Sequence, residues 1–421
     1  MNLSALTKTS MGILMVMIFV IPQSFMWLKL PFLGMVLLWM LMEGTRNHWK
    51  IRSRAFLHYY LIFCLLTMMW SVIGLVKGNP EVAIMEALRV YVVYMCIFCA
   101  LAIYVSNLDY EAHVDDIVVA GALGIGAVAL YTLLDHLFHL GWLPQSVKND
   151  MFLELGVHDG YVQMNNVNIG MLTFIAPYLL SRLLLSERND RQAYLFMGLV
   201  VAVASAVLAS RRVVLTLLLV VPLLTFAIDF LAGQPARRRR RWWGKAYFLL
   251  LLAAGAGIWI VTHWGFEFLD GFRARVLSAF NTDPDAPRPL QHAALMAGFS
   301  DNYLWGSGFG GITSVVRSDE RPWTFELTYS RLLFNAGLIG FSLLMLFFCT
   351  YLFLALRKIR QSSHASIQVS LLTGFLSISI AAVSNPYLSS FDFLFALSII
   401  PLILNTKVQP RQKPMNERVL S

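Results

Sequence analysis

Apolar runs of membrane-spanning length recur along the whole chain, and they leave few folds open to it. A helix needs about 20 residues to cross the hydrocarbon layer, and in lipid only helices and closed barrels satisfy their own backbone groups. Twelve candidate spans can be marked, at about 11–28, 30–42, 56–76, 81–105, 114–140, 165–185, 193–209, 212–232, 245–264, 326–356, 364–383 and 388–405. The second is short for a span and the tenth is long. Charged residues make up 14% of the chain, against about 25% in soluble domains. The 421 residues are therefore read as a single polytopic domain of the all-α membrane class, not as two or three soluble domains. The run Met11 to Leu28 is expected to be a retained helix, because no small-residue cleavage site follows it and Pro31 opens the next run at once.

The net charge of +9 is unevenly placed. With the N-terminus in the cytoplasm, basic residues gather in the cytoplasmic loops, at Arg46 to Arg54, Arg182 to Arg191, Arg237 to Lys245, Arg357 to Arg360 and in the tail after Lys407. This bias predicts that both termini are cytoplasmic. The Arg237–Arg241 run, followed by Trp242 and Trp243, reads as an anchor at the lipid headgroups. Membrane lipids are thus expected partners and nucleic acid is not. The four cysteines lie inside apolar runs and read as packing residues.

One long polar segment interrupts the pattern, from 265 to 325. The orientation puts it outside the cytoplasm, together with the 141–160 loop, the tight turn Ser210–Arg212 and the turn Asn385–Ser390. Arg211 and Arg212 sit at that tight turn. Snorkelling to the interface accounts for one of them, and the other points to the cleft, where its guanidinium fork suits phosphate oxygens. In the long loop, Leu290 to Phe299 is expected to form a short amphipathic helix. Arg288 just before it is either an anion ligand, aided by free backbone donors, or the partner of Asp283 or Asp285. Glu326 opens the tenth span, on one helical face with Tyr329 and Ser330, where a carboxylate suits either a general base or a helix N-terminus. Arg89 is three residues from Glu86 on the fourth span and can pair with it. Asn165, with Gln163, Asn166 and Asn168, opens the sixth. Intramembrane polar groups of this kind point inward by default. Asp135, His136 and His139 at the end of the fifth span could ligate a metal, but histidines at a helix end are more often interfacial, and no metal or cofactor is expected. Gly306 to Gly311 is glycine-rich but has neither the Lys-Ser/Thr nor the preceding strand of a nucleotide loop, so a tight turn is expected.

Five stretches, in order, resemble the family of bacterial O-antigen polymerases and O-antigen ligases. They are Asn165-Asn-Val-Asn-Ile-Gly170, Ala209-Ser-Arg211, Arg288 with the loop helix, Trp305-Gly-Ser-Gly-Phe-Gly-Gly311, and the run from Glu326 to Gly340. The resemblance covers the second half of the chain well and the first half by hydropathy. It implies a metal-independent GT-C glycosyltransferase of the bacterial inner membrane with a periplasmic active site. Its donor would be an undecaprenyl-pyrophosphate-linked glycan, and a chain-length regulator and a flippase of the same pathway would be its partners. Arg211 and Arg288 match the family's pyrophosphate-engaging positions. Arg89, Asn165, Arg212, Tyr329, Arg331 and Asn385 would complete the substrate site. Ligases carry a histidine where this chain has Glu326, and an acidic residue where it has Asn385. Both departures favour the polymerase, with Glu326 as base or as the group that orients the acceptor, and Asp392 as an alternative acidic group. The second reading is a ligase that moves glycan to lipid A core or to protein. A lipid-linked oligosaccharide flippase is the third, but it needs no such loop, and no internal repeat is visible.

Overall fold

A computed structural model describes residues 3–108, 111–151, 153–158, 161–165, 167–186, 191–209, 211–233, 244, 287–362 and 365–407. The expected ninth span, the 237–241 basic run with its tryptophans, and 265–286 lie outside the described residues. So do Ser210 and Asn166. Within them the chain is helical apart from one short hairpin. The helices are α1 (Leu3–Val20), α2 (Met26–Asn47), α3 (Arg54–Val76), α4 (Glu81–Leu88), α5 (Tyr94–Asn107), α6 (Glu111–Phe138), α7 (Gln145–Met151), α8 (Leu172–Leu185), α9 (Gln192–Leu208), α10 (Arg212–Leu231), α11 (Pro287–Asp301), α12 (Thr328–Arg360), α13 (Ala365–Ala381) and α14 (Phe391–Asn405). A π-helical turn, Arg89–Val93, joins α4 to α5. Eight helical segments among the described residues are long and apolar enough to cross a membrane, and α9, α13 and α14 are shorter apolar helices. This is the architecture of a membrane-embedded protein.

Three spans differ from the sequence expectation. α1 ends at Val20, because Pro22 follows and a 3-10 turn at Gln23–Phe25 redirects the chain. The run expected at 30–42 is a 22-residue helix, α2. Hydropathy shortened it because Glu43, Arg46 and Asn47 continue the helix after its apolar stretch ends. Segment 141–160, expected as a loop, contains α7 and β1 (Glu154–His158), which pairs antiparallel with β2 (Tyr161–Asn165).

The centre is built by α8 and α13. The window Asn168–Leu185 is wholly buried, and Phe174 packs so closely on Gly374 that a Cβ there would meet its ring at 2.6 Å. Two buried ion pairs tie this centre to its neighbours. Arg182 Nε lies 3.0 Å from Asp115 Oδ1, and Tyr178 and Ser366 complete the cluster. Arg182, counted among the cytoplasmic basic residues, lies in the last turn of α8, and Asp115 on α6 supplies its counter-charge. In the second pair, Lys29 Nζ donates to Asp392 Oδ1 at 2.6 Å, and the two side chains are 0% and 2% exposed. The same Nζ donates to the Ile21 carbonyl, and Asn168 donates to the carbonyls of Ile18 and Ile21. These bonds satisfy the carbonyls that the end of α1 leaves without helical partners.

α12 is broken at Gly337, which has φ 64° and ψ −173°, a conformation open essentially to glycine alone. The break frees backbone groups, and the glycine-rich segment takes them up. Ser307 and Gly308 N–H groups donate to the carbonyls of Phe334 and Asn335, while Leu338 and Ile339 donate to the carbonyls of Tyr303 and Leu304. Phe309 N–H then donates to the Trp70 carbonyl, and Asn79 Nδ2 donates to the carbonyls of Ser307 and Phe309. The glycine-rich run is therefore a plug that seats the loop on α3 and α12, in agreement with the tight turn expected. Gly308 has φ 76°, and a Cβ on it would lie 2.3 Å from the Gly74 nitrogen. Gly308→Ala is expected to cost at least about 1–2 kcal/mol from the left-handed backbone alone, and to lift the plug. Trypsin should then cut at Arg317 and Arg321 faster than in the wild type. An unchanged cleavage rate and unfolding midpoint would show that the plug does not depend on this contact.

Candidate functional site

The polar groups gather where the α9–α10 turn, the first turn of α11, the start of α12 and the α13–α14 turn meet. Arg288 lies inside the first turn of α11, not ahead of it, because Pro287 already takes the first helical position. Its Nε donates to Glu326 Oε2 at 2.6 Å, and Arg317 Nε lies 3.4 Å from Glu326 Oε1. Glu326 is not on the face of α12 that the sequence suggested. The helix begins at Thr328, and Glu326 stands two residues ahead, its N–H donating to Gln291 Oε1 at 2.8 Å. Asp283 and Asp285, the alternative partners for Arg288, lie outside the described residues.

The Arg288–Glu326 pair is open to solvent, with the arginine side chain 55% exposed. Pairs of that kind are worth about 0.2–1 kcal/mol. A doubly charged phosphate group can therefore displace the glutamate at small cost. The arrangement holds Arg288 in place through a bond that is weak enough to exchange.

Arg211 caps α10 with non-helical backbone, and its N–H donates to the Ala206 carbonyl at 2.9 Å. Its Nε is buried with no hydrogen-bond partner, and so is the Nε of Arg331. Buried donors are nearly always paired, so these two stand out as unsatisfied donors at the polar layer. Arg331 donates through Nη2 to Tyr91 Oη and Ser389 Oγ, both at 2.8 Å, joining the π-helical turn to the 3-10 turn Tyr387–Ser389.

Both predicted arginines act electrostatically on Tyr387. Burial pushes its phenol above the usual tyrosine range, and the Arg211 and Arg288 guanidiniums both pull it back. Its ring stacks on Phe393 with centroids 4.9 Å apart, and it lies so close to Gly170 that a Cβ there would meet it at 2.7 Å. Gly170, the last residue of the asparagine-rich motif, thus leaves space for the ring. Below this polar layer is a small apolar recess, lined by Phe63, Leu66, Trp70, Tyr91, Phe348 and Leu388 among others. Tyr91 belongs to both layers.

The remaining predicted residues divide. Tyr329 donates to the Ser379 carbonyl at 2.8 Å and so binds α13 to α12. Asn385 turns back on Ala381 and Ser384, while its carbonyl accepts from Thr328 Oγ1. Arg89 is 55% exposed and only 4.0 Å from Glu86; the firmer partners of Glu86 are Arg321 and Trp323 of the loop. Asn165 ends β2, opposite Glu154, and Arg212 opens α10. Asp392 is held by Lys29 in the core. Asp135, the metal-ligand candidate, is bonded to Lys148 and to the Gly141 N–H, and no cluster of three or more metal-ligating side chains occurs among the described residues.

Sequence reasoning passed over Tyr387, Tyr91, Gln291, His292 and Arg317. Only Tyr387 carried a local signal, its place just after Asn385-Pro386 in a turn already marked as facing the cleft. No protein-family model matches the chain, and no curated protein matches it.

Proposed function

We propose that the chain is a membrane glycosyltransferase that polymerises undecaprenyl-pyrophosphate-linked oligosaccharide repeat units at the periplasmic face of a bacterial inner membrane. The observation that carries this reading is a pair of guanidiniums from separate segments, Arg211 with an unpartnered Nε and Arg288 in a solvent-open ion pair, that both act on the charge of the Tyr387 phenol. Two guanidiniums that act on one phenol suit a pyrophosphate, which needs its growing charge stabilised as the glycosidic bond breaks. The apolar recess beside Tyr91 and Leu388 suits the first isoprene units of the lipid carrier. A twelve-span GT-C arrangement with both termini in the cytoplasm belongs to the same proposal.

The chemistry follows from these parts. The donor's pyrophosphate replaces Glu326 on Arg288 and takes the free Nε of Arg211. An acceptor hydroxyl attacks the anomeric carbon, and the pyrophosphate leaves with the bonding electron pair. Arg331, held by Tyr91 and Ser389, faces the boundary between headgroup and tail.

A deletion strain tests the product class. The expected phenotype is lipid A core capped by a single repeat, with no longer glycan. Core without any glycan, while polymer accumulates on the lipid carrier, would identify a ligase and overturn the polymerase reading.

A further inference from the structure

Glycosyl transfer of this kind releases one proton from the acceptor hydroxyl, and Glu326 is poorly placed to take it, since Arg317 still faces its carboxylate after the pyrophosphate has displaced it from Arg288. We propose that His292 is the general base; the assignment rests on the glycosyl-transfer reading above. His292 follows Arg288 by four residues on α11, so the two side chains share a face about 6 Å apart along the axis. Two cross-links join α11 to the start of α12 along this face. One is Arg288 with Glu326, and the other is His292 Nδ1 with Ser330 Oγ, 3.0 Å apart. The residues beneath them are apolar: Leu295, Phe325 and Phe334 form a small core, and Gly298 lets α11 close onto Phe334. The face is therefore rigidly backed, while His292 itself is exposed.

Imidazole is the side chain that exchanges a proton near neutral pH. With Nδ1–H donating to Ser330 Oγ, Nε2 presents its lone pair outward. About 6 Å of helix axis then separates the group that grips the leaving phosphate from the group that meets the incoming hydroxyl. The acceptor oxygen bonds to the anomeric carbon as its proton passes to Nε2. The bond from that carbon to the pyrophosphate oxygen breaks, and its electron pair leaves with the pyrophosphate, facing Arg211 and Arg288. The imidazolium then gives its proton to water.

The test is a comparison of purified wild type, His292→Gln, Ser330→Ala and Glu326→Gln, using undecaprenyl-pyrophosphate-linked repeat units over about pH 5 to 9. His292→Gln should lower kcat by about 10²–10⁴-fold with little change in the donor KM, and should abolish the fall in rate on the acid side. Ser330→Ala should shift that acid limb with a smaller loss. Unchanged donor binding by His292→Gln shows that the variant is folded. An acid limb that persists in His292→Gln, or one that disappears in Glu326→Gln instead, overturns the assignment while leaving the glycosyl-transfer reading intact. Failure of the wild type to transfer glycan at any pH overturns both.

Discussion

Arg288→Ala is expected to abolish long-chain glycan while single-repeat glycan persists, and Arg211→Ala to do the same. Each substitution removes a fixed cation from the place where negative charge grows, and the loss of one such donor typically costs about 10²–10³ in rate. The fold should survive. The Arg288 side chain is 55% exposed and its ion pair with Glu326 is a surface one, worth at most about 1 kcal/mol. Lysine at 288 should restore only part of the activity, because an ammonium cannot bind two phosphate oxygens in the planar fork of a guanidinium. Arg89→Ala is the internal comparison: it is equally exposed and 4.0 Å from its carboxylate, and its loss should change glycan length little. Full-length polymer from both the Arg211 and Arg288 variants would sink the pyrophosphate reading.

The second large effect is on stability. Asp392→Ala leaves the Lys29 ammonium buried without its counter-ion in a position of 0% exposure. Breaking a buried pair from one side costs about 3–5 kcal/mol, whereas replacing both partners by apolar residues of similar size is often neutral. The single variant should therefore lose much of its folded yield and unfold at a lower temperature in detergent, and Lys29→Met with Asp392→Leu should recover most of both. Activity per folded molecule should fall far less than for the arginine variants, since Asp392 serves the core and not the acceptor. A double variant as unstable as the single one would show that the pair is not what holds α1, α2 and α14 together.

How much of this was legible in the sequence depends on whether a feature is local. The limits of α3 and α10 could be read within a few residues, since apolar content and helix coincide there. α2 could not, because Glu43 and Asn47 extend it in polar residues. The break at Gly337 was hidden, as a glycine in an apolar run is compatible with a straight helix; only the plug at 306–309 shows why it bends. Arg211, Arg288 and Glu326 were each singled out in the sequence by their chemistry. What sequence could not supply was the bond between the last two, thirty-eight residues apart in the chain, and in the proposed mechanism that bond makes Glu326 the keeper of the arginine and not the acceptor of the proton. Asn385 and Tyr329 were polar at the right end of the molecule but spend their side chains on neighbouring backbone. No spacing rule distinguishes such residues from Arg331, which keeps a free donor.

The exchange of backbone bonds at Gly337 also limits how substrate can reach the site. Ser307 and Gly308 complete the hydrogen bonding of one half of α12, and Tyr303 and Leu304 complete that of the other half. If this part of the loop swung away, donors and acceptors on both sides of the break would face an apolar surround, at several kcal/mol for each. The stretch from Tyr303 to Phe309 is thus a fixed wall, and under the proposed function a lipid-linked substrate would have to pass it laterally. A long lipid-borne chain can slide between helices at the level of the bilayer, with its headgroup drawn along under the arginines and its sugars kept in water. In such a geometry the growing product can remain threaded between additions, and the number of units added per encounter would be set by how readily the lipid tail slips sideways out of the protein.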